Sequence, residues 1–164
     1  MNNESAADAS RRVVVGVDGS EPSRQALGWA QFLARATRST VEAVAVWTPF
    51  APYGVMGAGL AMIPPDWDPA GDAQRALAAT VDEVLGEHRP AGVQLTVRPG
   101  NPAQVLIEAS QGAQLLVVGS RGRGGFAGLL LGSVSAACLA HADCPVVVLH
   151  GATPPPSLTV EDVE

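Results

Sequence analysis

The chain contains no lysine: all ten of its basic side chains are arginine. That one omission excludes a P-loop lysine, a kinase-type strand lysine, a Schiff-base lysine and a lysine nucleophile together. Cysteine is nearly absent as well. Cys138 and Cys144 stand six residues apart with only His141 and His150 nearby, a spacing that fits no zinc pattern. Cys138 sits among Ala, Val and Leu and reads as a buried apolar thiol, with no structural disulfide expected in a reducing compartment. Charge is sparse, at 16% of residues against 47% apolar, which rules out a disordered chain held open by charge. The net charge of −6 argues against nucleic acid as a partner, because phosphate contacts need clustered cations. No uninterrupted apolar run reaches the ~18–20 residues of a membrane span. Met1 to Ser10 is polar and acidic and has no basic segment leading into an apolar one, so no signal peptide is expected and the default location is cytoplasmic.

What is present alternates between strand and helix signals. Arg12 to Asp18 (RVVVGVD) is a β-branched run that meets a turn at Gly19. Ser20 offers an N-cap, with Glu21 and Pro22 in the first turn. Ala26, Leu27, Ala30, Leu33 and Ala34 then follow helical spacing to about Thr37. Thr40 to Trp47 is a second strand. Thr48 to Asp68, with four prolines and three glycines, breaks the rhythm and reads as a lid, a contact surface or a disordered connection. Pro69 to His88 returns to a helical pattern, and Val93 to Val97 alternates like a strand near a sheet edge. Asn101 and Pro102 start a helix that runs to Gly112. Leu115 to Gly119 (LLVVG) is the most apolar strand. Gly132 to Ala142 reads as helix, and Pro145 to Leu149 as a fifth strand. His88 and His150 fall at element ends, where capping or surface roles predominate.

Strands alternating with helices predict an α/β fold: a single open, mostly parallel five-stranded sheet with helices on both faces. Residues 11–150 form that domain. Residues 1–10 and the acidic, proline-rich stretch 151–164 read as disordered ends.

The chemistry concentrates between Gly119 and Ser135. Gly119 and Gly122 remove Cβ atoms, which would let backbone N–H groups approach a bulky anion and let the chain take positive φ. Gly132, Ser133 and Ser135 mark a helix N-terminus, where unpaired N–H groups and the dipole favour an anion and two hydroxyls add donors. Between Glu108 and Asp143 the only charged side chains are Arg121 and Arg123. The segment therefore reads as an anion site. It is not the usual dinucleotide fingerprint, which belongs to the first strand–helix turn. That turn here is Val17-Asp18-Gly19-Ser20.

In this pattern the chain resembles the universal stress protein family. Gly119, Gly122, Gly132 and Ser133 meet the family's nucleotide signature G-x2-G-x9-G-[ST], and the opening VVVGVDGS and closing CPVVVL segments match as well. The resemblance covers roughly residues 11 to 150. It implies a Rossmann-like sheet of order 3-2-1-4-5 with ATP, and Mg2+ where the nucleotide carries it, across the C-terminal edge. Asp18 would approach the ribose, or the metal, although an Asx-turn acid at a helix start is the alternative reading of that residue. Val46 or its neighbours would give backbone contacts to adenine. Gly119, Arg121, Gly122, Gly132, Ser133, Val134 and Ser135 would hold the phosphates, and Gly16 and Val118 would flank them at their strand ends. The expected function is a nucleotide-dependent regulatory protein of the stress response. A slow ATPase, an AMP or cyclic AMP binder and a nucleotide-independent interaction module are the alternatives. A homodimer through Pro145–His150 is also expected, since a β-branched uncharged edge needs cover.

Overall fold

The computed structural model describes residues 11–48, 68–87, 89–123, 130–151 and 153–156. Residues 1–10, most of the proline-rich 48–68 stretch, His88 and the centre of the glycine-rich loop lie outside that set. Five strands, β1 (Arg12–Gly16), β2 (Thr40–Trp47), β3 (Val93–Pro99), β4 (Leu115–Gly119) and β5 (Val146–Leu149), alternate with four helices: α1 (Glu21–Thr37), α2 (Pro69–Leu85), α3 (Pro102–Ala109) and α4 (Ser133–His141). The strands form one sheet of order β3-β2-β1-β4-β5. All four pairings are parallel, as the sequence predicts.

The continuous apolar strands follow from burial on both faces. Alternate residues Val13, Val15, Val41, Ala43 and Val117 join Ala26, Leu27 and Ala30 of α1 and Leu77 and Val81 of α2 in one core layer. The opposite parity, Val14, Val44, Leu116 and Val118, packs with Val105, Leu106 and Ala109 of α3 and Cys138 of α4. Cys138 is fully buried. That burial, with Cys144 nearby, pushes its thiol up to about 11, so it is a packing group rather than a nucleophile.

One charge survives inside this sheet. Glu42 of β2 is only 7% exposed. It accepts a 2.8 Å hydrogen bond from the Thr96 hydroxyl and faces the Arg12 guanidinium, with Nε 3.2 Å from Oε2. That Arg12 N–H is not aimed well enough to count as a hydrogen bond, so the contact is an ion pair and no more. The same guanidinium donates to the carbonyls of Ala109 (2.9 Å) and Gln111 (3.2 Å). A cation thus meets the C-terminal end of α3, where the helix dipole favours it.

Element boundaries differ from the sequence reading where local chemistry intervenes. β1 stops at Gly16 rather than Asp18, although Val17 N–H still reaches the Val44 carbonyl at 2.9 Å. α2 ends at Leu85 because Gly86 takes φ 87°, and α3 ends at Ala109, with Gly112 at φ 71°. Within the stretch 151–164, residues 151 and 153–156 are described, and Thr153 and Pro155 lie against α1.

Two glycines make opposite demands. Gly119 ends β4 against the first turn of α1, where an added Cβ would stand 2.7 Å from the Pro22 carbonyl carbon. Gly28 is mid-helix, and a methyl there would make only ordinary contacts, 3.6 Å from Pro155 Cδ. Gly28→Ala is expected to raise stability by about 0.5–1 kcal/mol through helix propensity. Gly119→Ala is expected to lower it by about 1–3 kcal/mol, because backbone must move. Urea unfolding midpoints that shifted in the same direction for both variants would contradict this packing.

Candidate functional site

A cavity of about 480 Å3 opens at the C-terminal ends of β1, β2 and β4, within the size range of small-ligand sites. Its position follows from the topology. β1 and β4 are hydrogen-bonded neighbours, but α1 leaves β1 toward one face while α4 leaves β4 toward the other. Divergence of this kind creates the crevice in which open parallel sheets take ligands.

Every residue that the sequence reading assigned to the site lines this cavity. Gly16 and Asp18 come from the end of β1, Val46 from β2, and Val118 and Gly119 from β4. Arg121 and Gly122 come from the loop, and Gly132, Ser133, Val134 and Ser135 from the start of α4. The sequence reading did not assign Val17, Ser23, Val44, Pro102 and Leu106, which also line the cavity, as does Arg123. Arg123 was visible as a loop cation. Pro102 could have been found by asking which helix begins after an adjacent strand. Leu106 had no local signal, since it reads as ordinary core.

Asp18 fastens the mouth. Its Oδ1 accepts from the Ser20 N–H (2.9 Å) and hydroxyl (2.5 Å), and its Oδ2 accepts from the Arg123 N–H at 3.0 Å. The first pair is the Asx-turn of the alternative reading, and the third bond ties the glycine-rich loop to the end of β1. Gly122 is glycine for the same reason, because a Cβ there would lie 2.7 Å from Asp18 Oδ2. The expectation of positive φ at Gly119 and Gly122 is therefore corrected. Neither adopts it, whereas Gly19 does, at 79°. Both are glycine for close approach to protein atoms, Pro22 and Asp18.

The base of the loop is pinned as well. Gly132 N–H donates to the Ser120 carbonyl (2.7 Å) and Ser120 N–H to the Leu149 carbonyl (2.8 Å). The Ser135 hydroxyl donates to the Gly119 carbonyl at 2.6 Å. Its single proton is thus committed, which corrects the expectation of two free hydroxyl donors; Ser133 is exposed at the first position of α4. Gly132 itself has φ −75° and ψ 163°, an extended conformation open to any residue. Its lack of a side chain has a different consequence. Ser20, Asp68 and Asn101 each cap their helix by accepting a first-turn N–H, whereas α4, capped by Gly132, has no side-chain cap. The first-turn N–H groups of α4 face the cavity without a side-chain acceptor from the cap.

β2 contributes backbone. Val44 O accepts from Val17 N–H on the β1 side. By strand alternation, Val46 turns its N–H and C=O the same way, toward the space beyond the end of β1. The rim thus combines apolar walls from Val44, Val46 and Leu106, backbone groups at Val46, N–H donors at α4, two arginines and one carboxylate. This arrangement suits a ligand with a flat apolar part and an anionic part. Among the described residues no group of three or more His, Cys, Asp or Glu side chains is assembled as a metal site.

Burial opposes ionisation of Asp18. The hydroxyl and N–H of Ser20, the N–H of Arg123 and the hydroxyl of Ser23 outweigh it and hold the pKa below the ordinary 3.8. A depressed carboxylate pKa contributes stability that is fully present above the unfolded value and is lost as pH falls through the folded one. Asp18→Asn should therefore flatten the acid limb of a stability–pH curve below about pH 4. A variant whose acid limb overlays that of the parent would place the titration elsewhere.

Comparison with known proteins finds a match between residues 9–150 and the model of the universal stress protein family. A universal stress protein of Mycolicibacterium smegmatis is 36% identical over 152 residues, covering 91% of this chain and 49% of the relative. One from Mycobacterium tuberculosis is 38% identical over 141 residues, covering 83% and 43%. The chain spans about half the length of the curated relatives it matches. Among solved structures, UspA of Lactobacillus plantarum superposes with a TM-score of 0.66 at 20% identity, over 86% of this chain and 98% of that one. A universal stress protein crystallised in complex with cAMP gives 0.63 at 26% identity, over 85% and 97%.

Proposed function

The chain belongs to the universal stress protein family, and from that premise we propose that it is a cytoplasmic regulatory protein of the stress response that binds an adenine nucleotide, ATP, in the cavity at the C-terminal edge of its sheet. One observation carries the reading: the N-terminus of α4 has no side-chain cap, opens into the cavity, and stands beside Arg121 and Arg123. Free N–H groups at a helix start favour a phosphate by ~0.3–2 kcal/mol, and the two guanidinium groups add charge-assisted donors. In this reading Val44, Val46 and Leu106 enclose the base, and the backbone of Val46 addresses its edge. Gly132, Ser133, Val134 and Ser135 receive the phosphates, with Gly16, Gly119 and Gly122 carrying no side chain and Val118 packed into the core beneath.

Asp18 faces the ribose. Its two oxygens already accept bonds from Ser20 and Arg123, and it is a single carboxylate. Any Mg2+ is then held mainly by phosphate oxygens and water, as is common for that ion. Hydrolysis needs a positioned water and a base or metal clamp. Among the described residues Asp18 is the only acid lining the cavity, and it is engaged in holding the loop. Binding that controls conformation or partner choice is accordingly favoured over turnover. Cyclic AMP is the second reading, supported by the structural neighbour crystallised with cAMP.

The test is to extract purified protein with acid, identify the nucleotide, titrate ATP, AMP and cyclic AMP, and follow phosphate release from Mg-ATP. ATP bound without sustained phosphate release is the expected outcome. Sustained release would make the protein a slow ATPase, tighter cyclic AMP binding would reassign the ligand, and no affinity for any of the three would overturn the proposal. Gly132→Val is admitted by its extended backbone, but even Cβ there stands 3.4–3.9 Å from the backbone of Ser120, Arg121 and Gly122. With the fold checked by its backbone spectrum, it should lose at least about tenfold in affinity (~1.4 kcal/mol) by pressing the loop away from the first turn of α4. Affinity retained within about twofold would remove the phosphates from α4.

We also propose a homodimer through Pro145–His150. β5 is a sheet edge, and Val146 to Leu149 are all partly exposed, an edge that a second copy would cover. Light scattering should give twice the monomer mass, and Val147→Glu should halve it. A monomer at micromolar concentration, or a dimer indifferent to the charge, would rule this interface out.

A further inference from the structure

The C-terminal segment crosses an aromatic part of α1. Trp29 and Phe32 lie edge to face, with ring centroids 5.5 Å apart and planes at 76°. The Trp29 indole N–H donates to the Thr153 carbonyl at 2.9 Å. Pro155 is half-buried, and its ring lies over Gly28, where even a methyl group would come within 3.6 Å of Cδ. None of these residues lines the cavity.

The two sides are chemically matched. Thr153 is followed by Pro154, Pro155 and Pro156. Proline fixes φ, has no N–H and holds the preceding residue extended, so this stretch is a stiff, preformed ligand whose backbone offers acceptors. An indole N–H is a donor only. The helix therefore presents one donor, the Trp29–Phe32 ring pair beside it, and at Gly28 a flat stretch on which a proline ring makes ordinary contact. These are the elements by which aromatic-lined grooves take proline-rich peptides.

We infer that the Gly28–Trp29–Phe32 face of α1 is a binding site for a proline-rich peptide segment, and that Thr153–Pro156 occupies it in cis. A short tether gives the occupant an effective concentration on the order of millimolar. A proline-rich segment of another protein enters only by displacing the chain's own tail.

The test uses the full chain labelled with 15N, reading the Trp29 indole N–H resonance, assigned by its loss in Trp29→Phe. Exchange of that proton should be about fivefold or more slower than that of a free indole. Replacing Pro154, Pro155 and Pro156 together by Ser in the full chain should shift the resonance and abolish the protection, with the fold intact by its backbone spectrum. A synthetic Gly-Ala-Thr-Pro-Pro-Pro-Ser-Leu peptide at millimolar concentration should then restore both in the serine variant, and do so less readily in the parent, where the tail competes. A peptide with serines for prolines should do neither. An indole resonance unmoved by the serine replacements, or one moved but not recovered by the proline peptide, would overturn the inference.

Discussion

The parallel pairing of β1 with β4 is the constraint from which the rest of the molecule follows. It places two strands side by side that are separated in sequence by three helices and two other strands. Each is followed by a helix, and the two helices must take opposite faces because α1 and α4 belong to different core layers. Between the departing chains the described residues place no helix or strand, and the sheet ends in a crevice. The floor of that crevice is the close contact between Gly119 and Pro22. A side chain on β4 at that point would push the first turn of α1 away and disturb the turn that orients Asp18.

Side chains of few atoms decide which helix N-termini are capped. Ser20, Asp68 and Asn101 close the N-termini of three helices, while glycine leaves the fourth without a cap. Asp18 holds the loop by one backbone bond to Arg123, and Ser120 and Gly132 close its base. The loop is thus anchored at both margins, and its arginines emerge from a fixed frame. At the opposite end of the sheet, Arg12 links Glu42 to the carbonyl of Ala109, the last residue of α3. The interaction is remote from the cavity, but it fixes the helix that supplies Pro102 and Leu106 to it. The value of that buried charge is positional, since an ion pair of this kind contributes little net stability against its desolvation cost.

α1 serves two surfaces. Its first turn, through Ser20 and Ser23, supports the cavity, and its middle presents Trp29 to Thr153. The apolar face between them is committed to the sheet through Ala26, Leu27 and Ala30. A single rigid element is therefore in contact with the core, with the cavity and with the segment that follows β5.

The sequence by itself determined the architecture. Long β-branched runs without alternation require strands buried on both faces, and helical spacing between them requires crossovers, so a parallel sheet is the solution that satisfies both. It also marked where the glycine-rich loop lies, because glycine spacing, a helix start at Gly132 and isolated arginines are local features. It did not determine why those glycines are glycine. Gly119 and Gly122 suggest backbone freedom when read locally, but in the fold they answer to Pro22 and Asp18, residues about a hundred positions away. The commitment of the Ser135 hydroxyl to Gly119, the role of Leu106 as a cavity wall and the contact of Thr153 with Trp29 were equally invisible. Each is a distance between side chains or carbonyls brought together by strand order. Periodicity records which face of an element is buried; which atoms meet there is decided only when the elements pack.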